Sequence, residues 1–176
     1  MLGLGKKFPN FNLTATVDTN LDKAFTKVDN ESYKDKWMCM FFYPKDFTFI
    51  CPTEIVGYDN LYGEFKERNC ELYAASTDSE FVHMAWRQHT KDLKNLKTPM
   101  ISDIKRELSE DLGILDETEG VCYRATYIVD PEGIVRHISA NDLSAGRSPE
   151  ETLRTLDALQ NGGLCPVNWK KGDATL

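Results

Sequence analysis

No two of the five cysteines in this chain, Cys39, Cys51, Cys70, Cys122 and Cys165, form a Cys-x-x-Cys pair. That weakens zinc-ribbon, iron–sulfur and thioredoxin-type dithiol readings. Long apolar runs are missing too. The longest, Trp37 to Tyr43, falls far short of the ~20 residues that cross a bilayer, so no membrane partner is expected. The N-terminus, Met1 to Lys7, lacks an apolar h-region. A cytoplasmic, reducing location is therefore expected, in which static disulfides are disfavoured and a reactive cysteine becomes the interesting possibility. Basic residues are in the minority, 21 against 28 acidic ones, for a net charge of −7. An acidic chain repels phosphate backbones, which argues against nucleic acid as a partner. The three histidines, His83, His89 and His137, have no metal-site spacing, so neither metal nor cofactor is expected. Neither Gln-Ala-Cys-x-Gly nor Cys-Gly-x-Cys-Trp surrounds a cysteine, which disfavours a cysteine hydrolase. A phosphatase loop, Cys-x5-Arg, fails as well. The sixth residue after Cys51 is Gly57, after Cys70 it is Ser76 and after Cys122 it is Ile128.

What is present is 176 residues without repeats, low-complexity tracts or linkers, enough for one sizeable core. Trp37–Tyr43 reads as a buried central strand ending at Pro44. Pro52 suits a helix start, and Ile55, Tyr58, Leu61, Tyr62 and Phe65 continue a helical stripe. Leu72–Thr77 reads as a second buried strand. Asp78 or Ser79 is the expected cap of a helix running through Phe81, Met84, Ala85 and His89. Another helix is expected from Ser102 through Ile104, Leu108 and Leu112, with Gly113 as its stop. Thr126–Val129 and Ile134–Ile138 flank Asp130-Pro131-Glu132-Gly133 as a hairpin. Ser148-Pro149-Glu150-Glu151 has the capping-box form, followed by Leu153, Leu156 and Leu159 and a stop at Gly162-Gly163. The sum is an α/β fold, a mixed central sheet with helices on both faces. The expected division is a domain over residues 1–163 and a C-terminal arm over 164–176, outside the core yet carrying Cys165 and Trp169.

Cys39 and Cys70 lie in or beside apolar strands and read as small buried hydrophobes, as does Cys122. Cys51 lies at a strand–loop–helix junction, where backbone N–H groups and the helix dipole would stabilise a thiolate. Position alone fits a buried structural thiol equally well. The surrounding residues add more. Pro44-x-x-x-Thr48-x-x-Cys51 resembles the active-site motif of the peroxiredoxins. Ser102-Asp103, Tyr123-Arg124-Ala125-Thr126, Val129-Asp130 and Gly146-Arg147-Ser148 match in order, so the likeness runs from about Leu4 to Trp169. Leu164-Cys165-Pro166-Val167-Asn168-Trp169 is similar to the resolving-cysteine segment of the typical two-cysteine subgroup. The overall pattern resembles that of the bacterial alkyl hydroperoxide reductase C type.

The resemblance implies a thioredoxin-like fold and a thiol-dependent peroxidase. Cys51 would attack a hydroperoxide as a thiolate of lowered pKa and become a sulfenic acid. Thr48 would offer its hydroxyl to the peroxide and sulfur, Arg124 its fixed charge, and Pro44 would shield the site. Glu54 and Arg147 would support that arginine. Cys165, from the other subunit of a homodimer, would resolve the sulfenate, which requires local unwinding around Cys51. A disulfide-reducing protein partner is implied (a flavoprotein reductase, thioredoxin or similar), as is a ring of dimers of the decamer type. A holdase chaperone or a peroxide-sensing redox relay is the alternative use of the same scaffold. Two features that accompany easy overoxidation in this family are not found. Asp92–Pro99 carries no glycine insertion, and Lys170–Thr175 contains neither Tyr nor Phe.

Overall fold

The computed structural model describes all 176 residues. Its frame is a seven-stranded mixed sheet in the order β2-β1-β5-β4-β3-β8-β9. These strands are β1 (Asn12–Thr16), β2 (Phe25–Asp29), β3 (Trp37–Phe42), β4 (Cys70–Ser76), β5 (Met100–Ser102), β8 (Arg124–Val129) and β9 (Val135–Asn141). A separate two-stranded ribbon joins β6 (Leu115–Asp116) to β7 (Val121–Cys122). The uninterrupted apolar run of β3 has a direct cause. It pairs in parallel with β4 and antiparallel with β8, and both of its faces are covered. Met38, Met40 and Phe42 enter one core layer, while Cys39 and Phe41, with Tyr43 just beyond the strand, enter the other. Each fully buried side chain of this size contributes about 1.5–3 kcal/mol of transfer free energy.

Four helices cover the second layer: α1 (Ile50–Asn60), α2 (Tyr62–Glu67), α3 (Glu80–His89) and α5 (Pro149–Asn161). They place Ile55 and Tyr58, Phe65, Trp86, and Leu153 with Leu156 against it. The opposite layer is closed by Leu108 and Leu112 of α4 (Glu107–Leu112) and by the N-terminal residues Phe8 and Phe11. The expected hairpin forms between β8 and β9, and Gly113 ends α4 in the left-handed region (φ 65). A Cβ on Gly113 would meet the Met1 backbone nitrogen at 2.6 Å, so glycine is required twice over.

Four local expectations are corrected. The α1 helix begins two residues before Pro52, so Cys51 lies inside its first turn. In α3, capped by Ser79, the buried face is His83, Trp86 and Arg87, while Phe81 is exposed and packs edge-on against Phe25 at 4.9 Å. A hydropathy stripe misreads this face because a histidine and an arginine occupy the core side. Ser102 ends β5 rather than starting a helix. The α4 turns begin at Glu107, where Asp103 accepts from the amides of Leu108 and Ser109. Ser148 caps α5 through the Glu151 amide at 3.2 Å, but the Glu151 carboxylate turns outward to Arg154, so the reciprocal half of the box is not made. The 164–176 segment contributes to neither core layer and folds back on α5. Trp169 is buried, its carbonyl accepts from Arg154 at 3.0 Å, and the Leu176 amide donates to the Leu164 carbonyl at 2.9 Å. No helix is long and apolar enough to cross a membrane.

Candidate active site

The loop from Pro44 to Phe49 carries the chain from the C-terminal end of β3 into α1. Ligand sites of open α/β sheets lie at such strand ends. Cys51, in the first turn of α1, is 1 % exposed. The N-cap, Phe49, offers no side-chain hydrogen bond, so the first amides of α1 remain available to an anion at this end. Glu54, three residues on, projects from the same face and is also buried.

Arg124, the first residue of β8, reaches both. Its Nη1 donates to the Cys51 sulfur at 3.5 Å and to Glu54 Oε2 at 2.7 Å, and its Nε donates to the Leu143 carbonyl at 2.8 Å. Arg147 approaches Glu54 from the other side. Its Nε donates to Oε1 at 2.8 Å, its Nη2 to Oε2 at 3.0 Å, and its backbone N–H to Oε1 at 3.0 Å. One carboxylate thus holds two guanidinium groups, all with side chains under a tenth exposed. Burial pushes the Glu54 carboxyl up, but the two guanidinium groups outweigh it and hold the carboxyl below its ordinary value. Burial pulls Arg124 down, and the Cys51 sulfur and Glu54 carboxylate more than restore it.

Thr48 and Pro44 sit in the expected loop. Pro44 is buried. The Thr48 hydroxyl donates to the Lys45 carbonyl at 2.9 Å and makes no bond to Cys51, so it braces the loop. Between them Phe47 adopts the left-handed region (φ 54), strained for an aromatic residue, and rests against Trp86 at 5.8 Å. Beneath the loop lies a buried polar group that sequence reading missed. His83 Nδ1 and Asp46 Oδ2 are 2.6 Å apart, Tyr43 donates its hydroxyl to Asp46 Oδ1 at 2.8 Å, and the Asp46 amide donates to Asp78 at 2.9 Å. Burial pulls the His83 imidazole down, and the Asp46 carboxylate reverses this to a net rise. The available sequence signal is the three- and four-residue spacing of His83 from Trp86 and Arg87, which puts the three on one helical face.

The other cysteines divide cleanly. Burial pushes Cys39 and Cys122 up to about 12, and Cys70 well above its ordinary value, so all three are inert thiols in the resting fold. Cys165 is half-buried, its sulfur 3.7 Å from the Ala158 carbonyl at the end of α5. The structure therefore brings Cys51, Glu54, Arg124 and Arg147 together, with Pro44 and Thr48 in the adjoining loop. It leaves Cys165 outside that cluster. All five thiols are free.

Residues 4–138 match the model of the AhpC/TSA family. The chain is 46 % identical to an alkyl hydroperoxide reductase C of Mycolicibacterium smegmatis, covering 100 % of this chain and 94 % of that protein. It is 44 % identical to peroxiredoxin-1 of Gallus gallus, covering 98 % of this chain and 89 % of that one. Among solved structures, AhpC of Mycobacterium tuberculosis superposes with a TM-score of 0.88 at 44 % identity, over 97 % of this chain and 99 % of that one. A reduced 2-Cys peroxiredoxin of Plasmodium vivax gives 0.91 at 38 % identity, over 99 % and 93 %. The thioredoxin-like fold implied by the motifs is the fold of these neighbours.

Proposed function

The chain belongs to the AhpC/TSA family and is a thiol-dependent peroxidase, and we propose that it works through Cys51, with Cys165 of a second copy closing the cycle. The observation that carries this reading is the 3.5 Å contact from Arg124 to the Cys51 sulfur at the start of a helix. Fixed positive charge and the positive end of the helix dipole both face the sulfur that attacks. The thiolate forms a bond to one peroxide oxygen, the O–O bond breaks, and the other oxygen leaves as hydroxide or alkoxide and takes a proton. Arg124 faces the oxygen on which that charge develops, the role of a donor in an oxyanion hole. Pro44 and Thr48 keep the loop over the site, and Glu54 with Arg147 holds Arg124 in place.

Cys51 is then a sulfenic acid. The Cys165 thiolate attacks its sulfur, hydroxide departs and takes up a proton as water, and a disulfide forms. With Cys51 1 % exposed in the folded helix, its first turn must unwind for the sulfurs to meet. The 164–176 segment, held to α5 by a few bonds, is the arm that moves. A dithiol protein partner, such as a flavoprotein reductase or thioredoxin, returns the two electrons. Substrates are hydrogen peroxide and organic hydroperoxides, in keeping with the name of the mycobacterial relative. Association as a homodimer and a ring of dimers is supported by exposed Phe47 and Phe49 in the active-site loop, and the location proposed is the cytoplasm. No separate observation favours a holdase chaperone or a redox relay.

Hydroperoxide consumption followed by stopped flow tests the assignment. Cys51→Ser should abolish it. Cys165→Ser should react once and stall, and a non-reducing gel of the oxidised wild type should show a covalent dimer that this variant lacks. Consumption persisting in Cys51→Ser overturns the reading.

A further inference from the structure

Arg147 is held by more than Glu54. Its guanidinium lies over the rings of Phe41 and Tyr58, 5.6 and 5.9 Å from their centroids, and its Nη1 donates to the Ala125 carbonyl at 2.8 Å and to the Thr126 hydroxyl at 3.2 Å. An arginine only donates, and each buried hydroxyl proton beyond it needs an acceptor. Thr126 Oγ1 accepts from Arg147, and the one partner left for its own proton is the Tyr58 hydroxyl, at 3.3 Å. The Tyr58 proton then goes to Thr152 Oγ1 at 2.9 Å, and Thr152 donates to the Ser148 carbonyl at 3.3 Å. The chain of donors thus starts at Arg147 and ends on the backbone of the residue next to it. Tyr58 and Thr152 are buried and Thr126 is fully enclosed. Every hydroxyl in the loop gives one bond and receives one, and none is left unpartnered.

We propose that Tyr58 is a positioning residue for the peroxide step. Through this closed loop of hydroxyls it sets the orientation of Arg147, hence of Glu54 and of Arg124 against Cys51. The proposal rests on the assignment of Cys51 as the nucleophile. Tyr58 touches neither sulfur nor substrate. It lies on the same helix as Cys51, two turns on, and ties that helix to β8 and to the start of α5, the elements that carry Arg124 and follow Arg147. Replacing its hydroxyl leaves the Thr126 proton without an acceptor and gives Arg147 a second arrangement.

The test is the rate of sulfenate formation at Cys51, read by stopped flow in single-turnover mixes with hydrogen peroxide. Tyr58→Phe keeps the ring, stacked on Phe41 at 4.0 Å, and removes only the hydroxyl. The rate constant should fall roughly three- to tenfold, the change in equilibrium that about one hydrogen bond carries. Thr126→Val should repeat the loss, and Thr126→Ser should restore the wild-type rate. These serve as the second route if Tyr58→Phe folds poorly. In an Arg147→Ala background Tyr58→Phe should cost nothing further, because the residue it acts through has gone. A merely structural tyrosine would lower both backgrounds equally, and that result, or an unchanged rate in the wild-type background, overturns the proposal. Cys51→Ser is run alongside. If it still consumes peroxide, the nucleophile assignment has failed and the Tyr58 proposal falls with it.

Discussion

Arg124 Nη1 stands between two buried partners of different chemistry, the Cys51 sulfur at 3.5 Å and the Glu54 carboxylate at 2.7 Å. The carboxylate bond is the shorter and fixes the guanidinium before any substrate arrives. The sulfur contact is looser and, in the proposed reaction, free to change as charge moves from sulfur to the departing oxygen. Arg124→Ala should slow sulfenate formation by on the order of 3 kcal/mol, about a hundredfold, as for a lost oxyanion donor. Rapid-mixing kinetics with hydrogen peroxide read this directly. A rate within twofold of wild type would remove Arg124 from the reacting centre.

The same arrangement separates the cysteines by reactivity. Cys39, Cys70 and Cys122 are buried, with thiols that burial raises, whereas Cys165 is half-exposed and Cys51 faces a guanidinium. Brief alkylation of the native reduced protein near neutral pH should label Cys51 and Cys165 alone. Unfolding in guanidinium chloride should release the other three. Peptide mass spectrometry counts the sites, and native labelling of Cys39 or Cys70 ahead of Cys51 would contradict the assignment.

Much of this was legible in the sequence, and the remainder was hidden for identifiable reasons. The apolar run of β3, the Asp130–Gly133 turn and the Ser148–Pro149 helix start are local signals, and all three stand where the residues place them. The β1 and β2 strands are short and mostly half-buried or exposed, Asn-Leu-Thr-Ala-Thr and Phe-Thr-Lys-Val-Asp, so neither pattern rises above loop composition. The three-residue β5 is too brief to carry a period at all. On α3 two stripes compete at helical spacing, and the polar one is buried because His83 meets Asp46 and because Arg87 donates to the Thr16 and Leu96 carbonyls. The hydroxyl loop through Tyr58 joins residues 68 and 94 positions apart, a relation that exists only once the sheet has brought them together.

Glu54 makes the site sensitive to acid. Its folded pKa lies below the ordinary carboxylate value, so the folded state binds its proton less readily than the unfolded chain. The stabilisation is present above the unfolded pKa and is lost as pH falls through the folded one. Glu54→Gln leaves two buried guanidinium groups facing a neutral amide, and breaking a buried pair in this way costs about 3–5 kcal/mol. Denaturant midpoints of wild type and variant should differ most near neutral pH and converge in strong acid. A gap that is constant across that range would mean that the charge of Glu54 contributes nothing.

The last prediction concerns excess peroxide. Whether Cys51 is overoxidised depends on how quickly its turn unwinds relative to a second attack. The two ends of α1 are held very differently. At its start Phe49 supplies no cap, and the one hydrogen bond to the Cys51 side chain is the 3.5 Å arginine contact. Toward its end Tyr58 is bonded to two threonines, and Asp59 Oδ1 accepts three bonds at 2.8 Å from Lys97 N, Thr98 N and the Thr98 hydroxyl. The 92–99 loop, without glycine, is therefore tied to the far end of the helix and leaves the Cys51 turn free to open. Unwinding should stay confined to the first turn and be fast, letting Cys165 capture the sulfenate before a second peroxide does. The enzyme should then turn over undiminished as peroxide rises, with sulfinic acid at Cys51 scarce by mass spectrometry. Replacing Asp59 by Ala should leave that resistance intact or raise it, because it loosens the end that does not gate the reaction. Substantial sulfinylation per turnover at micromolar peroxide would show that the turn opens slowly and would sink the idea.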